Sequence, residues 1–348
     1  MSLTVVLTSM SELKREVVKR VLPHATIVCV NNAGTSVPEQ PINSGAACAR
    51  MRADRALTII AAGWDLVISM ESEISTTGIL VRDCCHVLLL TKDGQEYRAI
   101  SDGIPIPGHW DPVIPGDYQL KHLGSPETYG STLATRYGVD PKNWMADVGL
   151  MGRQVCDRRD QMENPLREVV DAWAEKEIPK TIIVVPDFPK PGVLYQDLSD
   201  VLAAPHLLEK LVRDAVVLLK REVGTSRVKV MGLDARGFIY GSLIAHALRT
   251  GFIMARKKGK LPRKTVEVTY ATEYSTSTIE VMVDLIQKGD RVVVVDDLVA
   301  TGGSLKAACQ LVERCGGTVV ACLVVLSVPE LLDQAVEKLA PVPVHVLY

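Results

Sequence analysis

Apolar runs alternate with stretches of helical spacing along most of the chain. In the first half, short apolar runs predict strands over 3–8, 26–30, 66–70 and 85–91, and helical spacing predicts helices over 12–22 and 46–62. The second of these helices carries Arg50, Arg52 and Arg55. Residues 101–118 are rich in Pro, Gly and Asp and read as a loop. Residues 152–164 are polar and show no apolar face, whereas 165–177 regain helical spacing, with Val169, Val170 and Trp173 on one side. In the second half a strand over 181–185 leads into the stiff, turn-rich PDFPKPG. There follow a helix over 207–223, a strand over 228–233, a helix over 238–249 and a strand over 251–255. Residues 256–280 are basic and polar, and strands over 292–295 and 318–326 close the pattern. This order predicts an α/β protein of two α/β domains, with a parallel sheet covered by helices on both faces in the C-terminal one. The boundary is placed near 160–178: residues 1–160, a linker helix over 161–178, and residues 179–348.

The most specific chemistry lies in VVVVDDLVATGGS, residues 292–304. Four valines make a strand suited to the buried interior of a parallel sheet. Asp296 and Asp297 stand at its carboxyl end, where open α/β sheets bind ligands. Ala300, Thr301, Gly302, Gly303 and Ser304 then open into a helix near Leu305. Loop glycines let backbone N–H groups close round a phosphate, and the helix N-terminus adds partial positive charge. Two acids beside a phosphate cradle make sense when the ligand also offers hydroxyls, which donate charge-assisted hydrogen bonds to carboxylates. A phosphorylated sugar meets both demands. The segment resembles the phosphoribosyl-pyrophosphate (PRPP) motif of type I phosphoribosyltransferases.

At 348 residues the length suits two domains, and 47% hydrophobic content suffices for two cores. A formal charge of −2 argues against a nucleic-acid surface. No apolar run approaches the roughly 18 residues of a membrane span, and the N-terminus does not read as a secretory signal. Eight scattered cysteines without a CxxC predict a reducing compartment, which is taken as the cytoplasm.

Four further segments precede the PRPP motif in a fixed order: PDFPKPGVLYQDL (186–198), GLDARGFIYG (232–241), RKKGKLP (256–262) and TEY (272–274). Together they resemble adenine phosphoribosyltransferase over nearly all of 180–340, which implies the type I phosphoribosyltransferase fold with a small hood and a mobile flap. A strand-to-loop turn carrying Asp234, Ala235 and Arg236 suits a diphosphate, and by resemblance it is the pyrophosphate loop. Arg256, Lys257 and Lys260 would surround the same group. Residues 263–280 look like the flap, with Glu273 in the place of the catalytic glutamate and Tyr274 beside it. Tyr195 matches the aromatic that stacks on adenine, and Val193 and Leu194 add contacts. Gln196, Ser275 and Ser304 depart from the more usual arginine, glycine and threonine. The resemblance implies Mg²⁺ carried on PRPP oxygens and water rather than in a protein cage, and a homodimer through the transferase half.

The first half carries a weaker resemblance. VPEQP (37–41), the Arg-rich helix near 49–56, DLVISMESEI (65–74) and ADVGLMGRQV (146–155) resemble the inosine/xanthosine triphosphatases, Mg²⁺-dependent hydrolases of non-canonical purine triphosphates. The phosphate-binding turn expected after the first strand is replaced by Thr8-Ser9-Met10-Ser11-Glu12, with Lys14 displaced. Asn43-Ser44-Gly45-Ala46 stands where acids are usual. Glu71 remains, while Glu73 replaces a glycine. A metal-assisted hydrolase needs its carboxylates and phosphate clamp together, so this half is expected to have the fold without the activity.

The expected function is purine salvage, in which adenine and PRPP give AMP and pyrophosphate, with no nucleic-acid or membrane partner. Three alternatives are a transferase for another 6-substituted purine, a PRPP-binding regulatory protein without turnover, and a bifunctional enzyme that also hydrolyses purine triphosphates.

Overall fold

The computed structural model describes residues 3–31, 43–76, 82–106, 138, 157–224, 228–271 and 276–348. The chain divides into two compact units, Met1–His206 and Leu207–Tyr348.

In the first unit, β1 (Thr4–Leu7), β2 (Thr26–Cys29) and β3 (Leu66–Ser75) pair in parallel. β3 continues antiparallel to β4 (Arg82–Thr91), which pairs β5 (Glu96–Ile100) and the short β6 (Ile104–Pro105). The sheet is therefore mixed, in the order β2-β1-β3-β4-β5. Helices α1 (Glu12–Val21) and α2 (Gly45–Ile59) fall where helical spacing predicts them. β3 runs five residues past its predicted end because SMES (69–72) is buried as deeply as the apolar part.

Helix α3 (Arg158–Thr181) begins seven residues before the apolar spacing would start it. Asp157 caps it by accepting from the Arg159 amide at 2.8 Å. Its first turn faces the sheet with polar groups: Arg158 pairs with buried Asp83 at 2.8 Å and also meets Ser72, while Gln161 donates to the Asp83 carbonyl. Met162, Leu166, Val169, Trp173 and Ile178 supply the apolar face beyond. An apolar-periodicity reading therefore misses the first turn, whose buried groups are hydrogen-bonded instead.

A two-stranded hairpin follows, β7 (Ile183–Pro186) and β8 (Leu194–Asp197), with α4 (Ser199–Ala203) after it.

The second unit opens two residues into α5 (Pro205–Glu222) and is built on seven strands in the order β11-β12-β10-β9-β13-β14-β15. The parallel core comprises β9 (Val228–Leu233), β10 (Phe252–Lys257), β13 (Arg291–Val299), β14 (Thr318–Ser327) and β15 (Val344–Val346). β13 lies between β9 and β14, and Val292 to Val295 are wholly buried there, as an uninterrupted β-branched run requires. Helices α6 (Arg236–Leu248), α7 (Gly303–Arg314) and α8 (Leu332–Leu339) complete the unit.

The segment read as a flap has regular flanks. β11 (Thr265–Ala271) and β12 (Thr276–Met282) pair antiparallel along their whole length, and β12 pairs β10. The alternation in TVEVTYA is the period of a strand, so this signal was present in the sequence. Glu273, Tyr274 and Ser275, like the segments 37–41 and 146–155, lie outside the described residues.

Candidate active site

Two strand-to-helix turns come together at the carboxyl ends of neighbouring strands. β9 leads through Asp234-Ala235, joined by a cis peptide, into α6. β13 leads through Ala300, Thr301 and Gly302 into α7. Asp296 and Asp297 stand within β13, just ahead of its last two residues, rather than beyond it. Asp297 is 3% exposed and its Oδ2 lies 2.8 Å from Nε of Arg236, the first residue of α6. Asp296 Oδ1 accepts the backbone N–H of Asp297 at 3.0 Å. Burial, and next the charge of Asp297, push the Asp296 carboxyl well above the usual carboxylate range, with the Arg236 guanidinium acting in the opposite sense.

The close approach of the two turns depends on Gly237. A Cβ placed there would lie 2.5 Å from the Val295 carbonyl oxygen and 3.0 Å from Asp296 Oδ1. Gly302 answers a different need, since its φ of 75° is left-handed and it forms the N-cap of α7. The first amides of a helix have no partner within it, so Gly303 and Ser304 present donors of the kind that hold phosphate. The Ser304 hydroxyl donates to Tyr270 Oη on β11 at 3.3 Å. Sequence reasoning passed over Tyr270.

Arg256, at the end of β10, is drawn to the first turn: its Nε lies 3.4 Å from Asp234 Oδ2, and its Nη1 donates to the Lys260 carbonyl at 3.3 Å. Lys257 and Lys260 are exposed. Arg236 with Asp297 and Asp296, and Arg256 with Asp234, thus stand as two paired groups on the two turns, beside a loop rich in backbone donors. Such an arrangement can hold a ligand that carries both phosphate and hydroxyl groups.

Val193, Leu194 and Tyr195 lie in the hairpin of the first unit. Tyr195 meets Phe188 edge to face at a centroid distance of 5.1 Å, and Leu194 is 68% exposed. Phe188 was not singled out from the sequence, although it belongs to the same motif.

In the first unit the residues singled out as remnants of a hydrolase are engaged with one another. Buried Glu71 is paired with Arg52. The Glu73 carboxylate accepts the Gly45 N–H at 2.6 Å and lies 3.1 Å from His86 Nε2. Lys14 donates its ammonium to the Met70 carbonyl at 2.6 Å. The side chain of Glu73 and the ring of His86 occupy the space at Gly45, where an added Cβ would lie 2.8 Å and 2.5 Å from them.

The phosphoribosyl transferase domain family matches residues 199–339. An adenine phosphoribosyltransferase from a Bradyrhizobium species is 43% identical over 171 residues, which is 49% of this chain and 94% of that protein. The chain belongs to the adenine phosphoribosyltransferase family. A second member, from a Jannaschia species, is 41% identical over 174 residues, 50% of this chain and 96% of that protein. The solved adenine phosphoribosyltransferase of Rhodothermus marinus is 43% identical, with a TM-score of 0.47, covering 51% of this chain and 98% of that one. The family resemblance read from the C-terminal motifs is borne out, and so is the α/β fold class. These matches span about half of the chain.

Proposed function

We infer that the C-terminal half transfers the phosphoribosyl group of PRPP to adenine, giving AMP and pyrophosphate. The observation that carries this reading is the meeting of the cation-bearing turn with the acidic turn, Arg236 against Asp297, in a chain 43% identical over 171 residues to an adenine phosphoribosyltransferase. A ring nitrogen of adenine bonds to the ribose C1′ as the bond from C1′ to the pyrophosphate oxygen breaks. Pyrophosphate leaves with the electron pair, and adenine gives up a ring N–H proton.

The chain's residues divide the work. Asp296 and Asp297 accept the ribose hydroxyls. The backbone of Ala300 to Ser304 holds the 5′-phosphate. Arg236, Arg256, Lys257, Lys260 and the Asp234-Ala235 turn steady the departing diphosphate. Tyr195 stacks on adenine, with Val193 and Leu194 beside it. Glu273 takes the proton, and Tyr274 and its neighbours exclude water. The acids on β13 are already engaged, Asp297 with Arg236 and Asp296 with a backbone amide, so a metal reached through substrate oxygens fits this donor set better than a protein cage. Mg²⁺ so held would neutralise diphosphate charge. AMP formation from adenine and PRPP tests the reading directly. Wild type should turn over, and Glu273→Ala should lose about 100-fold in kcat, as removal of a general base does. PRPP binding without turnover in the wild type would favour the regulatory alternative.

The same reading divides the chain into residues 1–160, a helical linker over 161–178 and a transferase domain over 179–348, acting as a cytoplasmic homodimer. No helix among the described residues is long and apolar enough to cross a membrane. Residues 1–160 are proposed to be a triphosphatase-like domain without hydrolysis. The mutual pairing of Glu71 with Arg52 and of Glu73 with Gly45 and His86 supports this, because metal and triphosphate would have to displace those partners. Inosine triphosphate should not be hydrolysed above background. Hydrolysis that disappears in Glu71→Ala would overturn this part.

A further inference from the structure

Beneath the cationic turn of the transferase unit lies a buried carboxylate that the reaction as described does not use. Glu280 on β12 is 3% exposed. It stands directly across from Arg256 of β10 in the antiparallel pairing of these strands. Its Oε1 accepts two consecutive backbone N–H groups, those of Lys260 at 2.9 Å and Leu261 at 3.0 Å. Its Oε2 accepts the hydroxyl of Thr265 at 3.1 Å. The turn is held from a second direction by the Lys258 N–H, which donates to the Thr278 carbonyl at 3.0 Å. From the far side, the Lys260 carbonyl accepts from Arg256, and Arg256 reaches Asp234 in the pyrophosphate turn.

Three donors converging on one buried side chain require an acceptor with several lone pairs, and a carboxylate supplies them at both oxygens. A buried carboxylate is costly unless its hydrogen bonds are made, so its presence under an otherwise exposed turn calls for a role. The turn it holds carries Lys257 and Lys260, both exposed, and borders Arg256. Backbone held at 260–261 fixes where these three cations point. Displacement of charged groups by about 1 Å can cost on the order of 100-fold in a positioned reaction.

We propose that Glu280 is a positioning residue for the diphosphate of PRPP, fixing the 257–261 turn so that Arg256, Lys257 and Lys260 converge on the pyrophosphate. The proposal rests on the reading of this site as a PRPP site. Glu280 touches neither adenine nor the ribose in this scheme, so its effect is confined to steps that sense the diphosphate.

Wild type, Glu280→Gln, Glu280→Ala and Thr265→Val are compared by steady-state kinetics, by calorimetric titration with PRPP, and by thermal unfolding. Glu280→Ala should raise KM for PRPP by about 10- to 100-fold, while KM for adenine moves less than about threefold. Glu280→Gln retains an oxygen for the two amides and should fall between, and Thr265→Val should give a smaller change in the same direction. Equal increases in both KM values would mark Glu280 as a general structural residue and overturn the proposal. If Glu280→Ala does not fold, Glu280→Gln and Thr265→Val decide: wild-type Tm together with wild-type affinity for PRPP in both would also overturn it. Wild type that binds no PRPP would instead overturn the reading of the site itself.

Discussion

Replacing Asp296 and Asp297 together by asparagine should lower kcat/KM for PRPP about 100- to 1000-fold and leave the fold at least as stable. The loss follows from hydrogen bonds to ribose hydroxyls, about 1.5–3 kcal/mol for the one to ionised Asp297 and about 1 kcal/mol for the one to Asp296. The absence of a stability penalty follows from the surroundings. Asp296 is pushed toward its neutral form by burial and by Asp297, so the carboxylate at this point opposes folding. The lost pairing of Asp297 with Arg236 costs less than that of a fully buried pair, because Arg236 is 47% exposed and solvent can take over its charge. The sign can also be read from pH. A carboxyl whose folded pKa is raised binds more protons folded than unfolded, so its contribution is fully present below the unfolded pKa. It is lost as pH rises through the folded value. Wild type should therefore lose stability over the window above the usual carboxylate range, and Asp296→Asn should lack that part of the decline. Urea unfolding at a series of pH values, beside AMP formation, checks both. A destabilised double variant, or one with near-normal use of PRPP, would refute the assignment.

Gly237→Ala should destabilise the protein, the reverse of what a glycine-to-alanine change near the start of a helix normally does. In an ordinary helix the substitution gains about 0.5–1 kcal/mol. Here the new methyl meets the Val295 carbonyl oxygen at 2.5 Å and the Asp296 Cα at 3.2 Å, both of them backbone atoms of the central strand. Neither can rotate away, so α6 must move off β13. Overpacking of this kind costs about 1–3 kcal/mol. The shift also draws Arg236 away from Asp297, so PRPP affinity should fall with stability. Thermal unfolding and calorimetric titration with PRPP measure the two effects. An unchanged Tm would mean that the strand and helix are not held this closely in solution.

The acidic and cationic turns were legible in the sequence because their information is local. A β-branched strand, two acids and a glycine-rich turn into a helix occupy thirteen consecutive residues, and RGFIYG follows its own strand in the same way. What was not legible depends on pairing between distant segments. Glu280 reads as one acid among polar residues until β12 is laid between β10 and β11, which brings it under Lys260. Tyr270 and Phe188 gain significance only from Ser304 and Tyr195. The first turn of α3 was lost for the opposite reason: it is held by buried polar groups, Arg158 and Gln161 on Asp83, to which apolar periodicity is blind. In the first unit, departures from the hydrolase pattern were visible at Lys14 and Glu73. Their present partners, Met70 and Gly45 with His86, were not.

The pairing of Arg236 with Asp297 has a thermodynamic corollary. A diphosphate that draws Arg236 away leaves Asp297 available to a sugar hydroxyl, and a hydroxyl on Asp297 leaves Arg236 available to a diphosphate. Each half of the substrate thus eases the entry of the other, and by reciprocity the coupling is equal from either side, as titration of pyrophosphate with and without ribose 5-phosphate would measure. With the roles proposed for these two residues, a preference for the intact molecule over its fragments would arise from an exchange of partners within one ion pair rather than from any additional contact.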